Sequence, residues 1–301
     1  MENSENITDQ VIIKLAKPED AKKLNDFYNE SYGENRTLEQ WHWLFNQHPN
    51  EDGNLIFAYA EFEGKVVGTQ GIMPVKFINS EGEVFWTGKS EETLVSPHMR
   101  GKNVYGRMYD LIYSLEEVKN YDFIWGFSPA MKAFEKVGFR SNSKTEQLFK
   151  AFSPDAIKDV KGLHDSQAKL RDTIISIFLI YFSKIKSIFS FNTNEKLTIQ
   201  PMREASIEMS VISEKMIKRY GGFTVDRSAN YINWRFIKNP FSKPKIIGAF
   251  DEDTLIGFLV YGTNNNVSAI VDLVIDPTTR FKPEEIITSL VKFAEKDVEL
   301  S

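Results

Sequence analysis

Two basic side chains set among glycines are the clearest chemical feature of this 301-residue chain. The run is Val95-Ser96-Pro97-His98-Met99-Arg100-Gly101-Lys102-Asn103-Val104-Tyr105-Gly106. Leu94 and Val95 close an extended stretch, Pro97 stops it, and Gly101 permits backbone angles that a Cβ would forbid. From Val104 the apolar positions Val104, Met108, Leu111, Ile112 and Leu115 recur at helical spacing. A helix N-terminus offers unpaired N–H groups and the positive end of the helix dipole, and Arg100 and Lys102 add full charges beside it. Such a loop suits a pyrophosphate. On the loop alone, an ordinary strand-to-helix turn with solvated basic residues reads the same way.

The strand feeding the loop carries two carboxylates, Glu91 and Glu92, each able in principle to take a proton from a nucleophile. Regular alternation puts them on opposite faces, Glu92 with Leu94 and Glu91 with Thr93 and Val95. At most one then looks into a cleft, and Glu92 is preferred. Exposed strand carboxylates or a structural ion pair fit the same pattern. Trp41, Trp43 and Trp86 read as core or cleft walls.

The elements around the loop give it context. Asp122-Phe-Ile-Trp-Gly-Phe127 predicts a buried strand. Ser128-Pro-Ala-Met-Lys-Ala-Phe-Glu-Lys-Val-Gly138-Phe139 predicts a short helix with proline near its start and glycine at its end. Val11-Ile-Ile-Lys-Leu-Ala16 predicts an opening strand, and Lys17-Pro-Glu-Asp-Ala21 starts a helix. Over residues 10–150 these blocks resemble the GNAT (Gcn5-related N-acetyltransferase) family: the loop its R-G-x-G-x-G/A acyl-CoA signature, the later helix its Y-E-K-x-G-F block.

The resemblance implies an α/β fold with a mixed central sheet flanked by helices, and acetyl-CoA as co-substrate without a metal. It implies that Arg100, Gly101, Lys102, Asn103, Val104, Tyr105 and Gly106 hold the pyrophosphate. The pantetheine arm would pair with the strand edge at Leu94 and Val95, where a backbone N–H would stabilise the developing oxyanion. Ser128 and Phe134 would flank the cofactor from the second block. An acceptor amine would attack the thioester directly, with Glu92 or Glu91 as base. Three residues depart from the family pattern. Asn103 and Tyr105 stand where glycine and a small residue are common, and Phe134 stands where many members carry the tyrosine that protonates the leaving thiolate. Tyr105 and Tyr109 share a helix face and are candidates to replace it.

Composition narrows the classes. A net charge of −5 argues against non-specific nucleic-acid binding, which needs a basic surface. The absence of cysteine excludes disulfides, a cysteine nucleophile and thiolate metal sites. Four scattered histidines give no metal-binding spacing. The N-terminus carries no export-signal pattern, so a cytoplasmic protein is the expectation.

A pattern also repeats within the chain. Trp43-Leu-Phe45-Asn-Gln-His-Pro49 matches Trp234-Arg-Phe236-Ile-Lys-Asn-Pro240. Ala60-Glu-Phe-Glu-Gly-Lys-Val-Val-Gly68 matches Ala249-Phe-Asp-Glu-Asp-Thr-Leu-Ile-Gly257, and Val95-Ser-Pro-His-Met-Arg100 matches Ile275-Asp-Pro-Thr-Thr-Arg280. Three blocks in one order indicate tandem copies of one fold. The second copy has no glycine after Arg280 and puts Glu284 and Glu285 in its first helical turn, where they would take the helix dipole themselves. The expected organisation is an acyl-CoA-binding domain over 1–152, an apolar helical linker over 153–196 and a degenerate or incomplete second lobe over 197–301. Segment 173–191 reads as a buried inter-lobe helix. A lid or homodimer contact is the second reading, and an interfacial membrane helix the third. The expected activity is acetyl transfer to an amine of a small metabolite or amino sugar. A CoA-binding scaffold without turnover, or a Fem-like transferase using aminoacyl-tRNA, are the alternatives.

Overall fold

A computed structural model of the chain describes residues 10–49, 56–128, 130–141, 197–264 and 267–299. The expected linker 153–196, with its apolar segment 173–191, lies outside the described residues. The rest groups into two compact units. One holds 10–141 and 203–243; the other holds 197–202 and 244–299. The boundary expected at 196/197 is therefore crossed by the segment 203–243, which packs with the first unit.

The first unit is a mixed sheet with helices. Its strands are β1 (Ile12–Leu15), β2 (Phe57–Phe62), β3 (Lys65–Asn79), β4 (Val84–Val95) and β5 (Phe123–Trp125), paired in that order. β1 to β4 run antiparallel and β5 joins β4 in parallel. A further strand, β7 (Phe223–Val225), pairs with the far end of β3 at Phe77–Asn79. Between β1 and β2 lie α1 (Ala21–Tyr32) and α2 (Leu38–Phe45). Thr37 opens α2 with a reciprocal cap: Gln40 N–H donates to Thr37 Oγ1 (3.2 Å) and Thr37 N–H to Gln40 Oε1 (2.8 Å). Leu24, Trp41, Phe45 and Phe57 form the core beneath these two helices. The opposite face is covered by α3 (Val104–Tyr113), which buries Val104, Met108, Tyr109 and Ile112 at the helical spacing expected. Short helices α4 (Glu116–Lys119) and α5 (Met131–Lys136) follow. The strand expected over 122–127 is shorter, because Phe127 leaves the sheet and stands 76% exposed.

The segment 203–243 contributes α6 (Ile207–Tyr220), β7, α7 (Ala229–Ile232) and a π-helical turn over Asn233–Ile237. It brings Trp234 onto Trp43. The two indoles stack at 4.6 Å with planes only 16° from parallel, and each is buried. Trp43 Nε1–H donates to the carbonyl of Trp234 and Trp234 Nε1–H to the carbonyl of Trp43, both at 3.1 Å. A buried indole N–H left without an acceptor is costly, so each residue satisfies the other.

The second unit is a four-stranded antiparallel sheet ordered β10-β9-β8-β6, where β6 is Leu197–Met202, β8 Lys245–Asp251, β9 Thr254–Asn264 and β10 Val267–Ile275. One helix, α8 (Pro283–Glu299), lays Ile286, Leu290 and Ala294 on the sheet. The repeated sequence blocks adopt matching geometry. The β2–β3 and β8–β9 hairpins turn through Glu63 and Glu252 at positive φ, 49° and 56°. Each hairpin has a register shift at the same point, after Ala60 and after Ala249. Ser96 N–H donates to Val67 O (2.9 Å), as Asp276 N–H does to Ile256 O (2.8 Å).

The tryptophan pair can be tested by a double-mutant cycle. Trp43→Ala and Trp234→Ala are each expected to cost about 3–5 kcal/mol in chemical denaturation. Because either change breaks the same stack and both hydrogen bonds, the double variant should lose far less than the sum. Additive losses would show that the two rings act independently.

Candidate active site

The site grows out of an irregularity in β4. Glu91 lies opposite Gly71 of β3 and Leu94 opposite Thr69, so β4 spends three steps where β3 spends two. The extra residue makes a β-bulge, with Glu92 at φ 52°. Alternation fails here. Glu91 and Leu94 share the face toward α2, where a Cβ on Gly71 would meet Phe57 and Phe45. The expectation that Glu91 shares a face with Thr93 and Val95 is corrected by that one inserted residue, while Glu92 turns to Arg36 on the side of α1 and α2.

Glu92 is fully engaged. Its side chain is 3% exposed and receives two hydrogen bonds from Arg36, at 2.6 and 3.2 Å. Burial pushes the Glu92 carboxyl pKa up, and Arg36 pulls against it. Arg36 is itself oriented by Asn25 Oδ1, which accepts from its Nε (2.6 Å), and it lies 3.7 Å over the Tyr28 ring. The bulge carbonyls are held from β3: Thr69 Oγ1 donates to Glu92 O (3.1 Å) and Gln70 Nε2 to Glu91 O (3.2 Å). Gln70 also takes a hydrogen bond from Thr93 Oγ1 at 2.6 Å. Thr69 and Gln70, two polar residues inside an otherwise apolar strand, were the sequence signal for this arrangement. Nothing local marked Arg36, 56 residues from its partner.

β5 follows β4 only from Thr87/Phe123 to Lys89/Trp125. Gly126 still packs against Ser90, and beyond it no described strand pairs with β4 from Glu91 to Val95 on that side. A short 3₁₀ turn, Pro97–Met99, then leads to the loop. Gly101 takes φ 80° and Asn103 φ 53°, the left-handed region, and α3 begins at Val104. The first bond of the helix is Arg107 N–H to Asn103 O (3.1 Å), so the N–H groups of Val104, Tyr105 and Gly106 precede the ladder. A Cβ on Gly106 would come within 2.4 Å of Asn103 Oδ1, so the Asn103 amide rests against this glycine. Arg100 is exposed and Lys102 half-buried.

On the α3 face, Ser90 Oγ and Tyr109 Oη lie 2.8 Å apart. Tyr105 packs between Tyr109 and Phe134, with ring centroids at 5.0 and 5.9 Å. Its Oη is buried and has no hydrogen-bond partner among the described residues. Burial pushes its phenol pKa up, so the proton stays on at neutral pH. Phe134 is buried among Tyr105 and Phe139, while Ser128 Oγ accepts from Ala130 N–H at 3.0 Å. The structure thus brings Leu94, Val95, the loop, Tyr105 and Phe134 to the end of β4 where β5 departs.

On the α2 face Lys89 pairs with Glu91, and its Nζ stands 5.9 Å from the Trp125 ring centroid. His48 is buried, with its ring 4.3 Å from that of Trp234. Burial, and after it the charges of Arg235 and Lys89, lower its pKa to about 3.

In the second unit the corresponding turn is built differently. β10 runs in regular register opposite Phe258, Leu259 and Val260, its one irregularity lying earlier, between Ile270 and Asp272. Arg280 pairs with Asp251. Glu285 Oε2 accepts from Lys282 N–H (2.9 Å), so a carboxylate of the chain already occupies the start of α8. Among the described residues no cluster could hold a metal ion, and no helix is long and apolar enough to cross a membrane.

No protein-family profile matches the sequence, and no curated protein is similar to it. Solved structures are similar in fold. A conserved protein of unknown function from Enterococcus faecalis, described as a probable N-acyltransferase, superposes with TM-score 0.62 at 11% identity, over 96% of this chain and 63% of its own. A GCN5-related N-acetyltransferase from Anabaena variabilis gives 0.58 at 12%, over 96% and 63%. One from Kribbella flavida gives 0.56 at 10%, over 97% and 62%. The chain spans somewhat under two thirds of the length of these proteins. At such identities the likeness is one of architecture: this is a GNAT-like mixed α/β fold.

The neutral, buried His48 makes stability depend on acidity. An unfolded histidine protonates near pH 6.5, whereas the folded one stays neutral down to about 3, so between those values the unfolded state binds the extra proton. Stability should therefore fall as pH drops below about 6.5, by about 1 kcal/mol per pH unit from this group. Urea midpoints from pH 7 to 4 should decline less steeply in His48→Gln than in the parent. Parallel declines would show that His48 titrates normally.

Proposed function

We propose that this chain is an acyl-CoA-dependent N-acyltransferase, moving an acetyl group to an amine of a small metabolite or amino sugar. The observation that carries the reading is the bulged end of β4, parted from β5, leading through a glycine and two cations into the N-terminus of α3. That geometry supplies a free strand edge for an extended amide-bearing arm and a cluster of N–H donors for a pyrophosphate. The second unit, with its regular β10 and its self-capped α8, fits an abbreviated copy of the same fold without the phosphate site.

In this reading Arg100, Lys102 and the amides of 104–106 hold the pyrophosphate, and the backbone of Leu94 and Val95 pairs with the pantetheine. Glu91 replaces Glu92 as the preferred base, because Glu92 has both oxygens on Arg36 while Glu91 is 30% exposed beside the parted strands. Glu91 takes the proton of the attacking amine, directly or through water. A backbone N–H at the end of β4 stabilises the charge that develops on the thioester oxygen. As the C–S bond breaks, Tyr105 donates its proton to the sulfur from the position beside Phe134. This supplies the acid that Phe134 itself cannot.

Calorimetry with acetyl-CoA tests the reading directly. Micromolar binding is expected, and Arg100→Glu should weaken it at least tenfold, since each charge-assisted hydrogen bond contributes about 1.5–3 kcal/mol. A folded protein that does not bind acetyl-CoA would rule the reading out. Thiol release across a panel of amines then separates an enzyme from a CoA-binding scaffold. In that assay Tyr105→Phe should lower kcat about 10²-fold or more with little change in acetyl-CoA affinity. Glu91→Gln should lower kcat on the same amines with little change in acetyl-CoA affinity, while an unaltered kcat would exclude Glu91 as the base.

A further inference from the structure

Gln70 stands in β3 at the bulge and is wholly buried. Its side-chain nitrogen lies 2.7 Å from Gly71 O, 3.2 Å from Glu91 O and 3.1 Å from Ser90 Oγ. Two of those three atoms are carbonyl oxygens, which only accept, so the amide cannot be turned over. Oε1 therefore faces Thr93, and the Thr93 hydroxyl must donate to it, at 2.6 Å. With its proton committed, Thr93 can only accept from Ser90, whose Oγ is 3.4 Å away. Ser90 Oγ in turn meets an N–H of Gln70, so its own proton points elsewhere, and Tyr109 Oη at 2.8 Å is the nearer acceptor. Ser90 thus donates to Tyr109, and the Tyr109 O–H is left as the outgoing donor of the network. One helical turn back, the Tyr105 ring stands edge-on to that of Tyr109, with 5.0 Å between centroids. The buried Tyr105 Oη is without a hydrogen-bond partner among the described residues.

We propose that Gln70 is a positioning residue for the acid step: acting through Thr93 and Ser90, it directs the Tyr109 O–H toward Tyr105, so that Tyr105 keeps its own proton for the leaving sulfur. The inference rests on the acyltransferase reading, with Tyr105 as its acid. In the reaction the amine nitrogen bonds to the thioester carbon and gives a proton to Glu91. The C–S bond breaks, its electron pair goes to sulfur, and sulfur takes the Tyr105 proton. That leaves a phenolate in a buried place, where a bare charge is costly. A hydrogen bond from the Tyr109 O–H to the phenolate oxygen lowers that cost, with Ser90 donating to Tyr109 and Gln70 to Ser90 behind it. Water then carries the proton from Glu91 back to Tyr105, and both groups are reset. Without the Gln70 N–H, Ser90 can turn its lone pairs to Tyr109, and Tyr109 then donates away from Tyr105.

The test compares Q70E, S90A and Y109F with the parent chain by thiol release from acetyl-CoA, using an amine that the acceptor panel finds active. Q70E keeps the shape and the acceptor for Thr93 but has no N–H for Ser90. S90A breaks the network at its middle and Y109F at its end, and both serve if Q70E does not fold. Each is expected to lower kcat about tenfold or more, as losing a hydrogen bond to a charged oxygen would, with acetyl-CoA affinity unchanged by calorimetry. Two further measurements separate this role from mere support of the bulge. In a Tyr105→Phe background the same changes should cost under about twofold, since the group they serve is gone. With the acetyl thioester of thionitrobenzoate, whose thiol leaves as a stable anion, the loss should shrink likewise. Equal losses with and without Tyr105, equal losses with both thioesters, or full activity in S90A and Y109F would overturn the proposal. A Tyr105→Phe chain with undiminished kcat has no acid to position and overturns it as well. A parent that binds no acetyl-CoA, or transfers to none of the amines, removes the acyltransferase reading and this proposal with it.

Discussion

The ion pair between Arg36 and Glu92 is the constraint from which the rest of the candidate site follows. A non-glycine residue at positive φ costs roughly 1–2 kcal/mol of backbone strain, and a bulge interrupts the ladder that would otherwise hold β4 to its neighbours. Both are maintained because Glu92 cannot turn away: its carboxylate is locked onto a guanidinium that Asn25 and Tyr28 have already oriented. Removing one partner of such a pair would leave a bare charge inside the protein, a loss of about 3–5 kcal/mol. The bulge falls where β4 runs past the end of its pairing with β5.

The two sides of β4 then divide the work. Toward α3 the strand presents hydroxyls: Ser90 and Thr93, with Tyr109 and Tyr105 from the helix. Burial keeps the two phenols protonated, so this side can donate protons but not accept them. Toward α2 it presents charges, Lys89 and Glu91, near a histidine that burial and cations keep neutral. One strand thus separates hydroxyls that burial keeps protonated from groups that carry charge.

Much of this was legible in the sequence. The loop from Ser96 to Gly106, the start of α3, the opening strand and helix, and the repeated hairpins all stand where residue types and spacing put them, because each is encoded locally by proline, glycine and apolar periodicity. The second turn's self-capping by Glu285 was legible for the same reason. The bulge was not. Alternation assumes one residue per step, and only a side chain 56 residues away, Arg36, decides that Glu92 breaks the count. The membership of 203–243 in the first unit was hidden likewise, since it depends on β7 meeting β3 and on one indole meeting another.

The tryptophan pair carries a consequence of a different kind. Trp43 and Trp234 occupy the same place in the repeated pattern, and each gives its N–H to the other's carbonyl. The contact is therefore isologous, a surface meeting its own likeness, which is the form that two-fold association takes between separate chains. Here both halves are covalently part of one polypeptide, so the association needs no second molecule and no threshold concentration. A change in either half also has no neutral partner to absorb it. Any replacement that keeps the fold has to suit its own helix and mirror what faces it, which binds the two stretches of sequence to vary together.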